Sequence, residues 1–210
     1  MSCRVVVLLS GRGSNFQAIA EARLPVEIVA VISNRPQAAG LAWARERGLT
    51  AIALDHTEHA DREAFDARLA NEIERHQPDL VVLAGYMRIL SPSFIARFEG
   101  RLLNIHPSLL PMFPGLKTHQ RALEEGVKIH GCTVHFVTAD LDHGPIVVQA
   151  AVPVRADDTP ETLAARVLRQ EHRIYPQAVR WFAEGRLEIK LGRVNLKGDP
   201  TSQSVFSTER

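Results

Sequence analysis

The stretch Val5-Val6-Val7-Leu8-Leu9-Ser10-Gly11-Arg12-Gly13-Ser14-Asn15 joins a continuous apolar run to a glycine-rich turn. Apolar, β-branched runs of this length are typical of strands that are buried on both faces of a parallel sheet. Similar runs at 28–32, 51–54, 80–84 and 102–105 predict further strands, with helices predicted between them at 16–20, 38–47 and 61–76. This alternation predicts an α/β fold with a doubly wound, mostly parallel sheet and helices on both faces.

The pattern changes after residue 105. Residues 131–138 alternate in the manner of a half-exposed strand, and residues 146–154 are expected to pair with them as an antiparallel C-terminal extension of the sheet. Thr159 and Pro160 have the residue types preferred at the start of a helix, which is expected to run to about residue 184. We expect one domain over residues 1–190, followed by a polar, poorly packed tail over residues 191–210.

The overall composition argues against several classes of protein. The 210 residues carry 25 Lys and Arg against 24 Asp and Glu, so the charge predicts neither a nucleic-acid partner nor a membrane surface. Cys3 and Cys132 have neither a disulfide framework nor metal-ligand spacing. The first apolar run is too short for a signal peptide, so the cytoplasm is the predicted compartment. The sequence is compatible with a homodimer but does not specify the oligomeric state.

The glycine turn suits a bound phosphate. Glycines let backbone amides face inward, the start of a helix adds partial positive charge, and Ser14 and Asn15 add side-chain donors next to Gly13. A dinucleotide fits poorly, because Phe16 occupies the third glycine position and the second strand ends at Ser33-Asn34 rather than at an acidic residue. The turn therefore favours a ribose phosphate. A tight strand-to-helix turn without a ligand is the alternative.

A second group of polar residues lies near the end of the fifth predicted strand. Asn104 and His106 are two residues apart, so we expect both on one face of that strand, at the edge where open α/β sheets bind ligands. Asp142 lies in a downstream loop, and close to His106 it would favour the imidazolium form. An amide, an imidazolium and a carboxylate would together stabilise the oxyanion that forms when an amine attacks a carbonyl. The alternatives are a structural histidine and a turn aspartate.

The sequence predicts neither a covalent nucleophile nor a metal site. Ser108 lacks the sharp elbow of hydrolases, and the nine histidines show no HExxH or equivalent spacing. The predicted chemistry is therefore direct transfer between two bound substrates.

Several collinear motifs carry a resemblance to a known family. They lie at 10–15, 83–90, 104–111, 135–137, 141–145 and 170–176. With these motifs the chain, over about residues 3–190, resembles the phosphoribosylglycinamide formyltransferases, which are folate-dependent enzymes of purine synthesis. The resemblance implies the formyltransferase fold, 10-formyltetrahydrofolate as the formyl donor, 5'-phosphoribosylglycinamide as the acceptor, and no metal.

The resemblance also implies roles for individual residues. His106 would be the catalytic acid, Asp142 would keep it protonated, and Asn104 would contact the formyl oxygen. The residues implied for the substrate phosphate and ribose are Gly13, Ser14, Asn15 and Glu171. The residues implied for folate are Arg62, Met87, Arg88, Ile89, Leu90, Asn104, Thr138, Ala139, Asp140, Leu141 and Asp142.

Three residues depart from what is common in that family. Arg12 is a longer cation, Tyr86 stands where phenylalanine is common, and His143 is bulkier than a glycine or alanine, but none of these removes a chemical group.

Other functions stay open at this point. They are transfer to methionyl-tRNA, hydrolysis of formyltetrahydrofolate by a deformylase, and non-catalytic binding of a phosphate or nucleotide. Methionyl-tRNA formyltransferases carry a C-terminal RNA-binding domain and deformylases an N-terminal regulatory domain, and we expect no room for either in this chain.

Overall fold

A computed structural model of the protein describes residues 2–198 and 203–207. The chain forms two compact units, Met1–Asn104 and Ile105–Arg210. Cys3 and Cys132 are both free thiols, so the described part of neither unit is cross-linked. Each unit therefore depends on its own packing and hydrogen bonds.

The first unit is built on a parallel sheet. Its strands are β1 (Cys3–Leu9), β2 (Val26–Ser33), β3 (Ala51–Ala53), β4 (Leu80–Leu83) and β5 (Leu102–His106), the last of which continues into the second unit. Within the unit they pair in the order β3-β2-β1-β4-β5, and every pair is parallel. Its helices are α1 (Ser14–Glu21), α2 (Ala39–Glu46), α3 (Arg62–Arg75) and α4 (Pro92–Arg97), with a 3₁₀ turn at His56–Glu58.

The burial of β1 agrees with its position in the middle of this parallel sheet. Residues 5–9 and the whole of β4 are buried, as expected for strands with other elements on both faces. β1 pairs with both β2 and β4. The strands predicted from apolar runs are therefore confirmed.

Side-chain caps fix where two helices of the first unit begin. The Asp61 side chain accepts a hydrogen bond from the Ala64 N–H at 2.8 Å, and the Ser91 hydroxyl accepts one from the Phe94 N–H at 3.3 Å. The sequence predicted the first of these helices but not α4, whose six residues are too few to show a helical period.

The second unit combines an antiparallel strand pair with a long helix. Its strands are β6 (Ile129–Phe136), β7 (Ile146–Pro153), β8 (Leu187–Lys190), β9 (Arg193–Leu196) and β10 (Ser204–Phe206), and its helices are α5 (Thr118–Glu124) and α6 (Pro160–Ala183). β6 and β7 are antiparallel, β10 pairs in parallel with β7, and α6 packs against β6 and β7. The predicted antiparallel extension is thus confirmed. At Gly131 a Cβ atom would overlap the Ala150 carbonyl, so the close pairing of β6 and β7 requires glycine there.

The segment predicted as a polar tail contains strands. β9 pairs with β8 as an antiparallel hairpin, and Val194 and Leu196 of β9 are buried. Alternating valine and leucine over four residues is too short a pattern to distinguish a strand from an irregular segment. Residues 199–202 and 208–210 of the predicted tail lie outside the described residues. The boundary near residue 190 stays a prediction.

Across residues 2–198 and 203–207, no helix combines the length and the apolar character that crossing a bilayer requires.

A buried ion pair fixes the start of α6. Arg166 donates to both carboxylate oxygens of Asp158, at 2.6 and 2.7 Å, and to the Pro153 carbonyl at 2.9 Å. The hydrogen bonds from Arg166 hold the pKa of the Asp158 carboxyl well below its usual range. Next to the pair, Thr159 and Thr162 form a reciprocal capping box. The ion pair therefore joins the end of β7 to the first turns of α6.

Replacing Arg166 by methionine should destabilise the protein by about 3–5 kcal/mol, because it leaves the Asp158 carboxylate buried without its cation. Urea unfolding at pH 7 measures this change. Since the wild-type pair depresses the Asp158 pKa, the stability it contributes is present above about pH 4 and is lost as the pH falls below that value.

Arg180→Met is the matched control, because Arg180 lies on the same helix and pairs with Glu184 at 3.9 Å, and its side chain is 38% exposed. It should change the stability by less than about 1 kcal/mol. Equal losses in the two variants would contradict a special role for the Asp158–Arg166 pair.

Candidate active site

The glycine turn of the first unit begins α1 in a left-handed backbone conformation. Gly13 has φ 70°, which favours glycine, and its carbonyl accepts the Gln17 N–H at 2.9 Å. No side chain caps the start of α1, so the backbone N–H groups of its first turn can meet an anion. Ser14 is the first helical residue, and Asn15 is buried. The geometry suits the predicted phosphate site, which stays a prediction.

Ser10 connects this turn to two other segments of the first unit. Its hydroxyl donates to Asn34 Oδ1 at 2.5 Å and accepts the Met87 N–H at 2.8 Å, and its own N–H donates to the Gly85 carbonyl at 3.1 Å. The end of β1 therefore holds the start of the predicted folate segment. Sequence reasoning assigned Ser10 no role, because a serine in a glycine turn carries no signal for partners so distant in the chain.

Residues 87–90 alternate in exposure. Met87 and Ile89 are 60% and 59% exposed, whereas Leu90 is buried and the Arg88 guanidinium lies 4.9 Å from the centre of the Phe65 ring. The segment therefore presents two apolar side chains outward, as a site for an apolar ring system would require. Arg62, the other cation predicted for folate, begins α3 and pairs with Glu63 at 3.1 Å.

In the second unit, His106 and Asp142 meet. His106 Nδ1 lies 3.5 Å from Asp142 Oδ2, and both side chains are 7% exposed. His106 Nε2 donates to the Phe113 carbonyl at 3.0 Å, which fixes one ring proton on Nε2. Nδ1 is therefore the ring nitrogen that faces the carboxylate. The predicted approach of these two side chains is confirmed.

The loop that carries Asp142 is tightly constrained. Asp142 has φ 56°, an uncommon conformation for a residue other than glycine, and its Oδ2 accepts the Gly115 N–H at 2.8 Å. At Gly144 a Cβ atom would overlap the Phe136 carbonyl oxygen, and the Phe136 N–H donates to the Pro145 carbonyl at 2.9 Å. The backbone of the loop thus returns against the end of β6, and only glycine permits that approach.

A second imidazole lies on the other side of the Asp142 carboxylate. His135 Nε2 is 4.0 Å from Asp142 Oδ1, and His135 Nδ1 donates to the Phe136 carbonyl at 2.9 Å. Burial lowers the pKa of His135, although the hydrogen bond to Phe136 and the charge of Asp142 oppose that shift. Sequence reasoning included His135 only as part of a family motif.

Two more histidines lie near His106 and are held in the neutral form. The rings of His119 and His130 meet edge to face, with centroids 5.3 Å apart. Desolvation, and then the charge of His106, lowers the pKa of His119. Desolvation and the neighbouring His119 lower the pKa of His130 to about 4, against a hydrogen bond to the Pro107 carbonyl. Desolvation thus disfavours the charged form of both rings.

The remaining predicted site residues lie in three places. Asn104 is in β5, two residues before His106. Glu171 is buried in α6, and the Cys132 thiol lies within range of its charge. Thr138, Ala139, Asp140 and Leu141 precede Asp142 in its loop, where Leu141 is 53% exposed. Their predicted contacts with substrate or folate stay predictions.

Within the described parts of both units, no three His, Cys, Asp or Glu side chains are grouped so as to hold a metal ion.

Residues 3–179 match the family model described as formyl transferase. The chain belongs to the formyl transferase family. The phosphoribosylglycinamide formyltransferase of Escherichia coli (strain K12) is 52% identical over 189 residues, which cover 88% of this chain and 89% of the relative. The enzyme of the same name from Haemophilus influenzae (strain ATCC 51907 / DSM 11121 / KW20 / Rd) is 41% identical over 210 residues, covering 98% and 99%.

A solved structure of this family has the same fold. The crystal structure of glycinamide ribonucleotide transformylase 1 from Symbiobacterium toebii is 52% identical and superposes with a TM-score of 0.90, covering 93% of this chain and 94% of that one. The predicted fold class and family resemblance are therefore confirmed.

The His130 environment predicts a pH-dependent stability. Because the folded state lowers the His130 pKa from 6.5 to about 4, the unfolded chain binds more protons between these values. The free energy of unfolding should fall as the pH is lowered from 6.5 to 4, by at most about 3 kcal/mol from this group. His130→Asn should lose that part of the slope. Urea unfolding at a series of pH values measures it, and equal slopes for both proteins would contradict the assignment.

Proposed function

We propose that the protein transfers the formyl group of 10-formyltetrahydrofolate to the amine of 5'-phosphoribosylglycinamide, a step of de novo purine (IMP) biosynthesis. The observation that carries this proposal is the buried imidazole–carboxylate pair of His106 and Asp142, in a chain whose relatives of that name are 41–52% identical. In this proposal both substrates are small molecules, and the reaction takes place in the cytoplasm. The homodimer stays a prediction.

The proposed reaction needs stabilisation of charge rather than a covalent enzyme intermediate. The glycinamide amine attacks the formyl carbon, and negative charge develops on the formyl oxygen. A C–N bond forms to the acceptor, the bond from the formyl carbon to the folate nitrogen breaks, and the amine proton ends on that nitrogen. The groups that hold the charge on oxygen therefore decide the rate.

His106 and Asp142 are proposed to supply the main stabilising charge. Nε2 already carries a proton that the Phe113 carbonyl accepts, so a second proton on Nδ1 makes the ring a cation. The Asp142 carboxylate, 3.5 Å from Nδ1, stabilises that cation in a site with little water. The cation and the Asn104 amide then stabilise the developing oxyanion. The Gly115 N–H keeps the carboxylate oriented toward the ring.

The proposed binding sites use the uncapped start of α1 and several exposed side chains. Gly13, Ser14 and Asn15, at the uncapped start of α1, are proposed to hold the phosphate, and Glu171 the ribose. Residues 87–90 and 138–142, together with Arg62, are proposed to bind folate. The exposed side chains of Met87, Ile89 and Leu141 offer apolar surface for the ring system and its linker.

An assay of 10-formyltetrahydrofolate with separate acceptors distinguishes this proposal from its alternatives. The release of tetrahydrofolate is followed by absorbance in three separate reactions. Their acceptors are 5'-phosphoribosylglycinamide, methionyl-tRNA and water alone. The proposal expects turnover with the ribonucleotide. Formate release in water would favour a deformylase, and binding without turnover would favour a non-catalytic module.

His106→Ala and Asp142→Asn should each lower kcat by about 100- to 1000-fold, since removing one oxyanion-stabilising group costs about 2.7–4 kcal/mol. KM for both substrates should change little, because the lost interaction is made mainly in the transition state. Steady-state kinetics measure both quantities.

Asp157→Asn is the control, because Asp157 is an exposed aspartate outside the loop of Asp142. It should retain wild-type kcat. Turnover close to wild type in both His106→Ala and Asp142→Asn would remove the pair from the mechanism.

A further inference from the structure

Of the buried side-chain atoms without a hydrogen-bond partner in the described part of the first unit, three lie on Asp66, Tyr86 and Arg88. They are Oδ1 of Asp66, the hydroxyl of Tyr86 and Nε of Arg88. Buried polar atoms in folded proteins nearly always have a partner, either in the protein or in ordered water, because an unpaired one loses its hydration without compensation. Three such atoms on neighbouring side chains indicate that a bound polar group completes them.

The three side chains lie near one another, where segment 87–90 passes α3. Asp66 is fully buried on α3, and the preceding residue, Phe65, carries the ring over which the Arg88 guanidinium lies. Burial and the Asp66 carboxylate raise the pKa of Tyr86, whereas Arg88 lowers it, so the hydroxyl lies within the field of both charges. The Arg88 guanidinium therefore lies against a ring of α3, and the Tyr86 hydroxyl lies within range of the carboxylate on the next residue of that helix.

Asp66 already holds the far end of the same segment. Its other oxygen, Oδ2, accepts the Ser91 N–H at 2.6 Å, and Ser91 is the N-cap of α4. One carboxylate oxygen therefore fixes where the segment ends, and the other, Oδ1, is one of the buried atoms without a partner. Met87 and Ile89, which alternate with these side chains, are left facing outward.

We propose that Asp66 is a positioning residue for the folate-binding segment 87–90, acting directly through Ser91 and through one ordered water that bridges Tyr86 and Arg88. In this arrangement each of the three buried atoms has a hydrogen-bond partner. The water accepts from the Tyr86 O–H and the Arg88 Nε–H, and it donates to Asp66 Oδ1. Three hydrogen bonds are typical of a buried water. The inference rests on the proposed function, in which residues 87–90 bind folate.

The inference is tested by Asp66→Asn and Tyr86→Phe in the full-length enzyme. Losing the carboxylate should raise KM for 10-formyltetrahydrofolate about tenfold, the effect of one hydrogen bond to a charged group. KM for 5'-phosphoribosylglycinamide and kcat should stay within about twofold, because the formyl-transfer residues do not touch Asp66. Tyr86→Phe removes only the water link and should raise the folate KM by about threefold. The double variant should be less than additive, since both changes break one network.

Asp79→Asn is the matched control. Asp79 is in the same unit, and its carboxylate also accepts a backbone N–H, that of Arg4 at 2.8 Å. Because Asp79 is exposed whereas Asp66 is fully buried, the change should cost less stability, and it should leave the folate KM unchanged. If Asp66→Asn folds and keeps a wild-type folate KM, or if the single effects add fully, the inference is overturned.

A crystal structure of the wild-type protein tests the water without any variant. Density for one water within hydrogen-bond distance of Asp66 Oδ1, Tyr86 Oη and Arg88 Nε is expected, and a dry cluster would overturn the inference. A wild-type enzyme that transfers no formyl group would instead contradict the proposed function. Failure of the inference and failure of the proposed function are therefore distinguishable.

Discussion

The carboxylate of Asp142 and the imidazole of His106 form the interaction on which the proposed chemistry depends. Their charged atoms are 3.5 Å apart and almost excluded from water, where an ion pair is much stronger than at the surface. A carboxylate so placed needs other partners, and the Gly115 N–H supplies one at 2.8 Å. The local fold of the second unit, including the left-handed backbone at Asp142 and the side-chain-free Gly144, serves to keep that carboxylate in place.

Three other histidines of the second unit lie near this pair and differ from His106 in their surroundings. His119 and His130 lie close to His106, but desolvation lowers the pKa of both and so disfavours their protonated forms. His135 does approach Asp142, yet burial still lowers its pKa. Of the two imidazoles beside Asp142, His106 makes the shorter contact, at 3.5 Å against 4.0 Å for His135.

In the first unit, buried polar side chains likewise hold one segment in place. Ser10 has one hydroxyl that both donates and accepts, and it ties the end of β1 to Asn34 and Met87. Asp66 fixes the other end of the segment that begins at Met87, through the N-cap of α4. Residues 87–90 thus keep their outward apolar side chains although no regular helix or strand includes them.

The sequence by itself determined the central strands, the long helices and the identity of the polar residues at the ends of strands. Apolar runs such as 5–9 and caps such as Asp61 and Thr159 act locally, so their effect can be predicted from neighbouring residues. The short helix α4 and the hairpin β8–β9 could not be predicted, because a few residues show no period. Only the tertiary structure decided that Asp142 reaches His106 and that His130 is desolvated. It alone also showed that Ser10 and Asp66 anchor one segment, because hydrogen bonds between residues 25 to 77 positions apart depend on how the chain packs and leave no local pattern.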